Sequence, residues 1–225
     1  MNKTEEKIKY CFKNRGLLTT ALTHSSWSQH GENNERLEFL GDAVLELVIS
    51  EYLYRNFSLA EGKMTKLRAN IVCTESLSLA AQELGLGEQL RLGKGERNTG
   101  GSNRRSNLAN VFEAVMGAVF LDSDYKTVSE VILRVLAENI ELARAGKLVK
   151  DYKTELQEQI QKEQGHTIEY RDLDATGPDH DRVFNTELLI DNCEAGTGSG
   201  KTKKEAEQEA AKSWLRQEKT ETQNR

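Results

Sequence analysis

The spacing of apolar residues changes near Lys150, and this change divides the chain into two halves of different pattern. From Lys3 to about Leu148 apolar residues recur at helical intervals. Leu17, Leu18 and Leu22 form one such set, and Ser76, Leu77, Leu79, Ala80 and Leu84 another. Leu37, Leu40, Val44, Leu45, Leu47, Val48 and Leu53 draw a broad stripe across a helix predicted over 36–54. Further helices are predicted over 106–121 and 128–142, while 93–107, rich in Gly, Asn, Ser and Arg, reads as a loop. No strand-like alternation stands out, so 1–148 is expected to be an all-α domain. After Lys150 an amphipathic helix is predicted over 154–163, with Leu156 and Ile160 inward. Strands follow over 167–174 and 182–190, joined by a turn at Thr176-Gly177-Pro178-Asp179. A third short strand near Cys193 leads into a helix over 203–216. That order, α-β-β-β-α, describes a small α+β domain at 152–219, and the short basic join at 146–151 would serve as a linker.

At 225 residues the chain can hold one large domain or two modest ones, and 37% hydrophobic with 30% charged residues indicates a globular rather than a disordered chain. Its most apolar stretches are interrupted by Asp42, Glu46 and Glu113, so no membrane span is expected. Met1 to Lys9 is polar and carries no secretory signal. Cys11, Cys73 and Cys193 are odd in number and scattered, which suggests neither a disulfide framework nor a zinc site. His24, His30, His166 and His180 show no paired metal spacing. A cytoplasmic location is expected. The net charge of −5 argues weakly against nucleic acid as a partner, so any such partner must be sought in local clusters.

The first cluster is acidic. Glu35, Glu38 and Asp42 stand at intervals of three and four, on one face of the helix predicted there. Like charges so stacked destabilise a bare helix, so a compensating cation is expected. Glu113, on the second long helix, lies on the flank opposite Phe112 and Val115. Two facing helices carrying Glu38, Asp42 and Glu113 could hold hard cations through oxygen. The plainer reading is solvated acids near a helix start, where the dipole favours them. Burial of Phe39, Leu40 and Val44 on the same helix weakens that reading, but periodicity alone does not decide.

The run Asn34-Glu35-Arg36-Leu37-Glu38-Phe39-Leu40-Gly41-Asp42-Ala43-Val44-Leu45 resembles the signature of the ribonuclease III family. The likeness extends from Leu22-Thr23-His24 through Glu61-Gly62 and Leu67-Arg68-Ala69 to Phe112-Glu113-Ala114 and Gly117-Ala118. An ungapped match over twelve residues is highly specific. The resemblance implies a double-strand-specific endoribonuclease that leaves 5′-phosphate and 3′-hydroxyl ends with short 3′ overhangs, acting as a homodimer in which each subunit cuts one strand. It implies Asp42 and Glu113 as catalytic residues and Glu38, Asp42 and Glu113 as ligands of Mg²⁺, for which Mn²⁺ could substitute. It places Glu35 and Glu61 around the catalytic valley and dimer interface, and makes Phe39 the aromatic dimer contact. One position departs: where the family carries Asp, this chain has Asn110, within Ser106-Asn107-Leu108-Ala109-Asn110-Val111-Phe112-Glu113. An amide carbonyl can still meet a metal but brings no charge, so binding should weaken. An active natural variant, a form altered to trap RNA uncut, and a non-catalytic relative all remain open. The intact acids favour the first.

In the second half, Gly200-Lys201-Thr202-Lys203-Lys204-Glu205-Ala206-Glu207 sits at a predicted helix start, where backbone N–H groups and lysines favour phosphate. A solvated helix end is the usual meaning of such a cluster. The order of elements and the Lys-Lys-x-Ala-Glu run, however, resemble the double-stranded-RNA-binding domain. That likeness implies RNA contacts from Thr154, Gln157, Gln161, His180, Lys201, Lys203 and Lys204, gripping phosphates and reading minor-groove 2′-hydroxyls of an A-form duplex. Yet from Asp151 onward 11 Lys and Arg face 17 Asp and Glu, a balance of −6, so Glu205 and Glu209 should point away from RNA. Ala195-Gly196-Thr197-Gly198-Ser199-Gly200-Lys201-Thr202 also fits a relaxed phosphate-loop pattern. A nucleotide fold would need a parallel βαβ sheet, and only one helix follows Thr202, so no nucleotide cofactor is expected. The rival from another class is a double-stranded-RNA-binding protein with little cleavage because of Asn110.

Overall fold

The computed structural model describes residues 3–27, 31–148, 152–162, 165–176, 182–200 and 202–223, side chains excepted at 161–162 and 218–223. It divides into two compact units, Met1–Val149 and Lys150–Arg225. The first contains α1 (Lys3–Ile8), α2 (Arg15–Ala21), α3 (Glu35–Asn56), α4 (Glu61–Val72), α5 (Thr74–Glu83), α6 (Leu86–Gln89), α7 (Lys94–Asn98), α8 (Arg105–Asp122), α9 (Tyr125–Val135) and α10 (Ala137–Arg144), with short 3-10 turns at Ser25–Trp27 and Gly101–Asn103. An isolated bridge between Thr23 and Arg91 is its sole β pairing among the described residues, so the expected all-α character holds. No described helix is long and apolar enough to cross a membrane.

Helix α8 is apolar almost all round, as a helix at the centre of a bundle must be. Val111, Phe112, Val115, Met116, Ala118 and Val119 are fully buried. Helix α3 crosses it at two glycines. A Cβ on Gly41 would stand 1.8 Å from the Glu113 carbonyl oxygen, and one on Gly117 would stand 2.4 Å from that of Leu37. The two backbones therefore meet directly. The far end of α8 is tied to the chain's beginning through Asp122, which accepts from the Tyr10 hydroxyl (2.7 Å) and from the backbone N–H groups of Lys13 (2.7 Å) and Asn14 (2.8 Å).

Several local expectations are corrected. The single helix predicted over 128–142 is two helices, α9 and α10, meeting at Leu136. Leu136 is itself fully buried, and the helical period runs through it unbroken, so the apolar pattern carries no sign of the bend. The loop predicted over 93–107 is instead largely folded, into α7, a 3-10 turn and the start of α8. Polar bonds organise it: Glu96 accepts from Arg104 (2.5 Å) and from the Asn107 amide (2.7 Å), which also donates to the Gly101 carbonyl (3.0 Å). Hydrophobic periodicity cannot register a segment held this way. Leu79 and Leu47, placed on the apolar faces of their helices, are 43% and 57% exposed, and Phe39, expected to be buried with Leu40 and Val44, is 81% exposed.

The second unit runs α11 (Tyr152–Lys162), β1 (Ile168–Thr176), β2 (Val183–Ile190), β3 (Cys193–Gly200) and α12 (Lys203–Gln223), the predicted α-β-β-β-α order. The strands form an antiparallel sheet in the order β1-β2-β3. Leu156 and Ile160 face inward as expected, closing on Leu188, Ala210, Ala211 and Leu215. The glycines that imitate a phosphate loop have a packing role here. A Cβ on Gly198 would come within 2.2 Å of the Ala206 carbonyl and the Ala210 nitrogen, so β3 lies directly under α12. The turn at 177–179 lies outside the described residues.

Substitution of the two kinds of glycine should separate cleanly. Gly41→Ala drives a methyl into the α8 backbone and should destabilise the first unit by about 1–3 kcal/mol or more. Gly62→Ala, in the first turn of α4 with nothing within 4 Å of the new Cβ, should stabilise it by about 0.4–1 kcal/mol. Urea unfolding of the two variants beside the parent chain checks both signs.

Candidate functional site

The acidic site is a consequence of the glycine crossing. Glu38 and Asp42 flank Gly41 on α3, and Gly41 abuts the carbonyl of Glu113 on α8, so the three carboxylates are carried to one place by backbone contact. Asn110, one turn before Glu113, donates a hydrogen bond to Glu38. Glu38, Asn110 and Glu113 are half-buried and Asp42 is exposed, so the cluster opens to solvent on one side.

Its electrostatics follow from crowding. Burial, then the charges of Asp42 and Glu38, push the Glu113 carboxyl from its ordinary 4.5 up to about 8. Burial and then Glu35 raise Glu38, the Asn110 hydrogen bond opposes the rise, and Asp42 adds to it. The compensating cation expected from the sequence does not come from the chain: among the described residues, no ion pair to Glu38, Asp42 or Glu113 is formed. Nor do any three Asp, Glu, His or Cys side chains among the described residues already stand close enough to hold a metal ion. The donor set is all oxygen, carboxylates plus one amide, and its unrelieved like charge fits a hard divalent cation in both chemistry and sign. Side-chain rotations would have to complete the coordination.

The other residues singled out in the first unit lie around this centre or beyond it. Glu35 is exposed in the first turn of α3 and acts electrostatically on Glu38. Glu61 begins α4, where it accepts from the Thr65 hydroxyl (2.8 Å), and it is not among the groups acting on Glu38 or Glu113. Phe39 is 81% exposed, and Leu47 (57%) and Tyr54 (77%) continue an uncovered apolar line along α3.

In the second unit Thr154 is half-buried, while Gln157 and Lys204 stand in solvent. The side chain of Gln161, and His180 and Lys201 entirely, lie outside the described residues. Lys203 is engaged by Asp172 of β1 in an ion pair. Asp172 escaped the reading of the sequence because a strand acid thirty-one positions from a helix lysine carries no local signal. The Glu96–Arg104–Asn107 network escaped it for the same reason.

The Glu113 shift fixes the sign of a pH effect. Between about pH 4.5 and 8 the folded protein keeps a proton that the unfolded chain has lost, so stability falls as pH rises through that window. Thermal unfolding of the metal-free protein should therefore move to lower temperature from about pH 5 to 8. Glu113→Gln, which cannot ionise, should flatten that slope; an unchanged slope would assign it elsewhere.

Comparison with known proteins identifies both units. The family model described as Ribonuclease-III-like matches residues 14–140, and that of the Double-stranded RNA binding motif matches 152–218. The chain is 49% identical over 212 residues to Ribonuclease 3 of Caldanaerobacter subterraneus subsp. tengcongensis, covering 92% of this chain and 93% of that one. It is 48% identical over 217 residues to Ribonuclease 3 of Oceanobacillus iheyensis, covering 94% and 95%. Among solved structures, a nuclease domain of ribonuclease III from Campylobacter jejuni, studied for flexibility in its dimer-forming region, aligns with a TM-score of 0.60 at 42% identity. It covers 61% of this chain and 96% of that one. With both family models matched in order and near-half identity over almost the full length of these relatives, the chain belongs to the ribonuclease III family.

Proposed function

We propose that the chain is a metal-dependent endoribonuclease that hydrolyses both strands of double-stranded RNA, with residues 1–148 cutting and 152–219 gripping the duplex. The observation that carries this reading is the meeting of Glu38, Asp42 and Glu113 across the Gly41–Gly117 crossing, within a family defined by divalent-metal cleavage of duplex RNA. In this reading Glu38, Asp42, Asn110 and Glu113 hold Mg²⁺, with Mn²⁺ as a competent substitute. Such an ion, when bound, supplies an activated water and neutralises charge on the scissile phosphate and the departing 3′ oxygen. The chain's own residues prepare the place. The α8 wall excludes water behind Glu113, Asn110 orients the Glu38 carboxylate by donating to it, and exposed Asp42 faces the side from which a phosphate arrives. The products carry 5′-phosphate and 3′-hydroxyl ends with short 3′ overhangs. Precursor ribosomal RNA and messenger RNA in the cytoplasm are the substrates this activity would meet. No observation favours the binding-only reading.

Each active centre serves one strand, so two copies are needed. The uncovered line of Phe39, Leu47 and Tyr54 on α3 is the surface we assign to the homodimer, beside the acids at Glu35 and Glu38. The Campylobacter jejuni domain has a dimer-forming region of its own.

The direct test is incubation with a long perfect RNA duplex, with and without Mg²⁺, of the parent chain, Asn110→Asp and Glu113→Gln. Metal-dependent shortening by the parent is expected, at lower Mg²⁺ for Asn110→Asp, with loss of cleavage but retained binding for Glu113→Gln. Binding by all three without any cleavage would overturn the nuclease assignment for this chain. For the dimer, Phe39→Glu should shift the sedimentation coefficient to that of a monomer and lower double-strand cleavage together.

A further inference from the structure

We propose that Asp172 competes with RNA phosphate for the Lys203 ammonium, and so limits how tightly the second unit holds a duplex. The inference rests on the RNA-binding role proposed above for that unit. Its starting point is the sheet register. Asp172 of β1 lies opposite Thr186 of β2, which lies opposite Gly198 of β3. Side chains in one such row share a face of the sheet. Thr186 is fully buried, and Gly198 abuts Ala206 of α12, so this face is the one the helix covers. Asp172, at the outer strand of the row, therefore stands beside the first turn of α12, and Lys203 is the first residue of that helix. Their side chains pair there while remaining 47% and 62% exposed.

An acid at this position gains from the helix dipole as well as from the lysine, and these are the same two attractions that draw a phosphate to a helix start. An exposed pair of this kind is weak and can be displaced. Lys153 and Lys212 are likewise held, by Glu207 (2.7 Å) and Glu209 (2.5 Å), whereas Lys204 has no carboxylate partner among the described residues. Phosphate thus meets Lys204 directly, but Lys203 only after Asp172 gives way. From Asp151 onward 11 basic residues stand against 17 acidic ones, so that one displacement matters to binding.

The test measures affinity of the full chain for a perfect RNA duplex in metal-free buffer across a salt series, for the parent, Asp172→Asn, Lys203→Gln and the double variant. Asp172→Asn should bind about two- to five-fold more tightly at low salt, the equivalent of one exposed ion pair. Its salt slope should steepen by about one, because the cation released from RNA at Lys203 is no longer offset by one taken up at a freed Asp172. Both gains should vanish in the Lys203→Gln background. Unchanged or weaker binding by Asp172→Asn, with its thermal unfolding unaltered, overturns the proposal; so does an equal gain without Lys203, which would mark a general charge effect. Absence of duplex binding by the parent chain would instead sink the RNA-binding role itself.

Discussion

The close crossing of α3 and α8 at Gly41 and Gly117 is the contact on which the first unit depends. Two helices approach this closely only where neither carries a Cβ at the point of contact, because any side chain would enter the opposing backbone. The arrangement also makes α8 the central helix, apolar nearly all round, with its ends held by polar bonds instead of by further burial. Stability and site are thereby the same piece of architecture. The residues flanking the crossing are carried to within reach of one another whether or not their charges favour it.

Their charges do not favour it. Three carboxylates meet beside a dry helix wall with no basic side chain among the described residues to balance them, and Glu113 responds by holding its proton to about pH 8. A fold that brings acids together against their own repulsion stores free energy that a cation can release, which is how a site gains affinity for metal at the expense of the metal-free protein. Asn110 moderates both sides of that balance. It brings no fourth charge, and it donates to Glu38, so the repulsion among the acids is smaller and, in the proposed metal-holding role, so is the pull on a cation.

The second unit solves the opposite problem, binding a polyanion with an acidic surface. Among the described residues Lys153, Lys203 and Lys212 are tied into ion pairs with the unit's own carboxylates, and the helix start that would meet phosphate is shared with Asp172. Overall charge is thus a poor guide to partner here, since what a phosphate encounters is set by which cations are already engaged. The glycines of β3 show the same dependence on neighbours: read alone they imitate a phosphate loop, and read beneath α12 they are what lets strand and helix touch.

Much of this was legible in the chain alone. The change of period near Lys150, the helical face shared by Glu35, Glu38 and Asp42, the inward Leu156 and Ile160, and the α-β-β-β-α order are all local patterns, and local patterns survive in a linear string. The bend at Leu136 and the folding of 93–107 were not legible, because the first is imposed by packing on an unbroken period and the second by hydrogen bonds to Glu96. Which acids meet, how far Glu113 is shifted and which lysine is already paired are relations between residues tens of positions apart. The sequence by itself determined the two-part order, the long helices and strands with most of their inward faces, and the family. Only the tertiary structure decided what those faces meet, because desolvation and charge coupling act through space over a few ångströms and not along the chain.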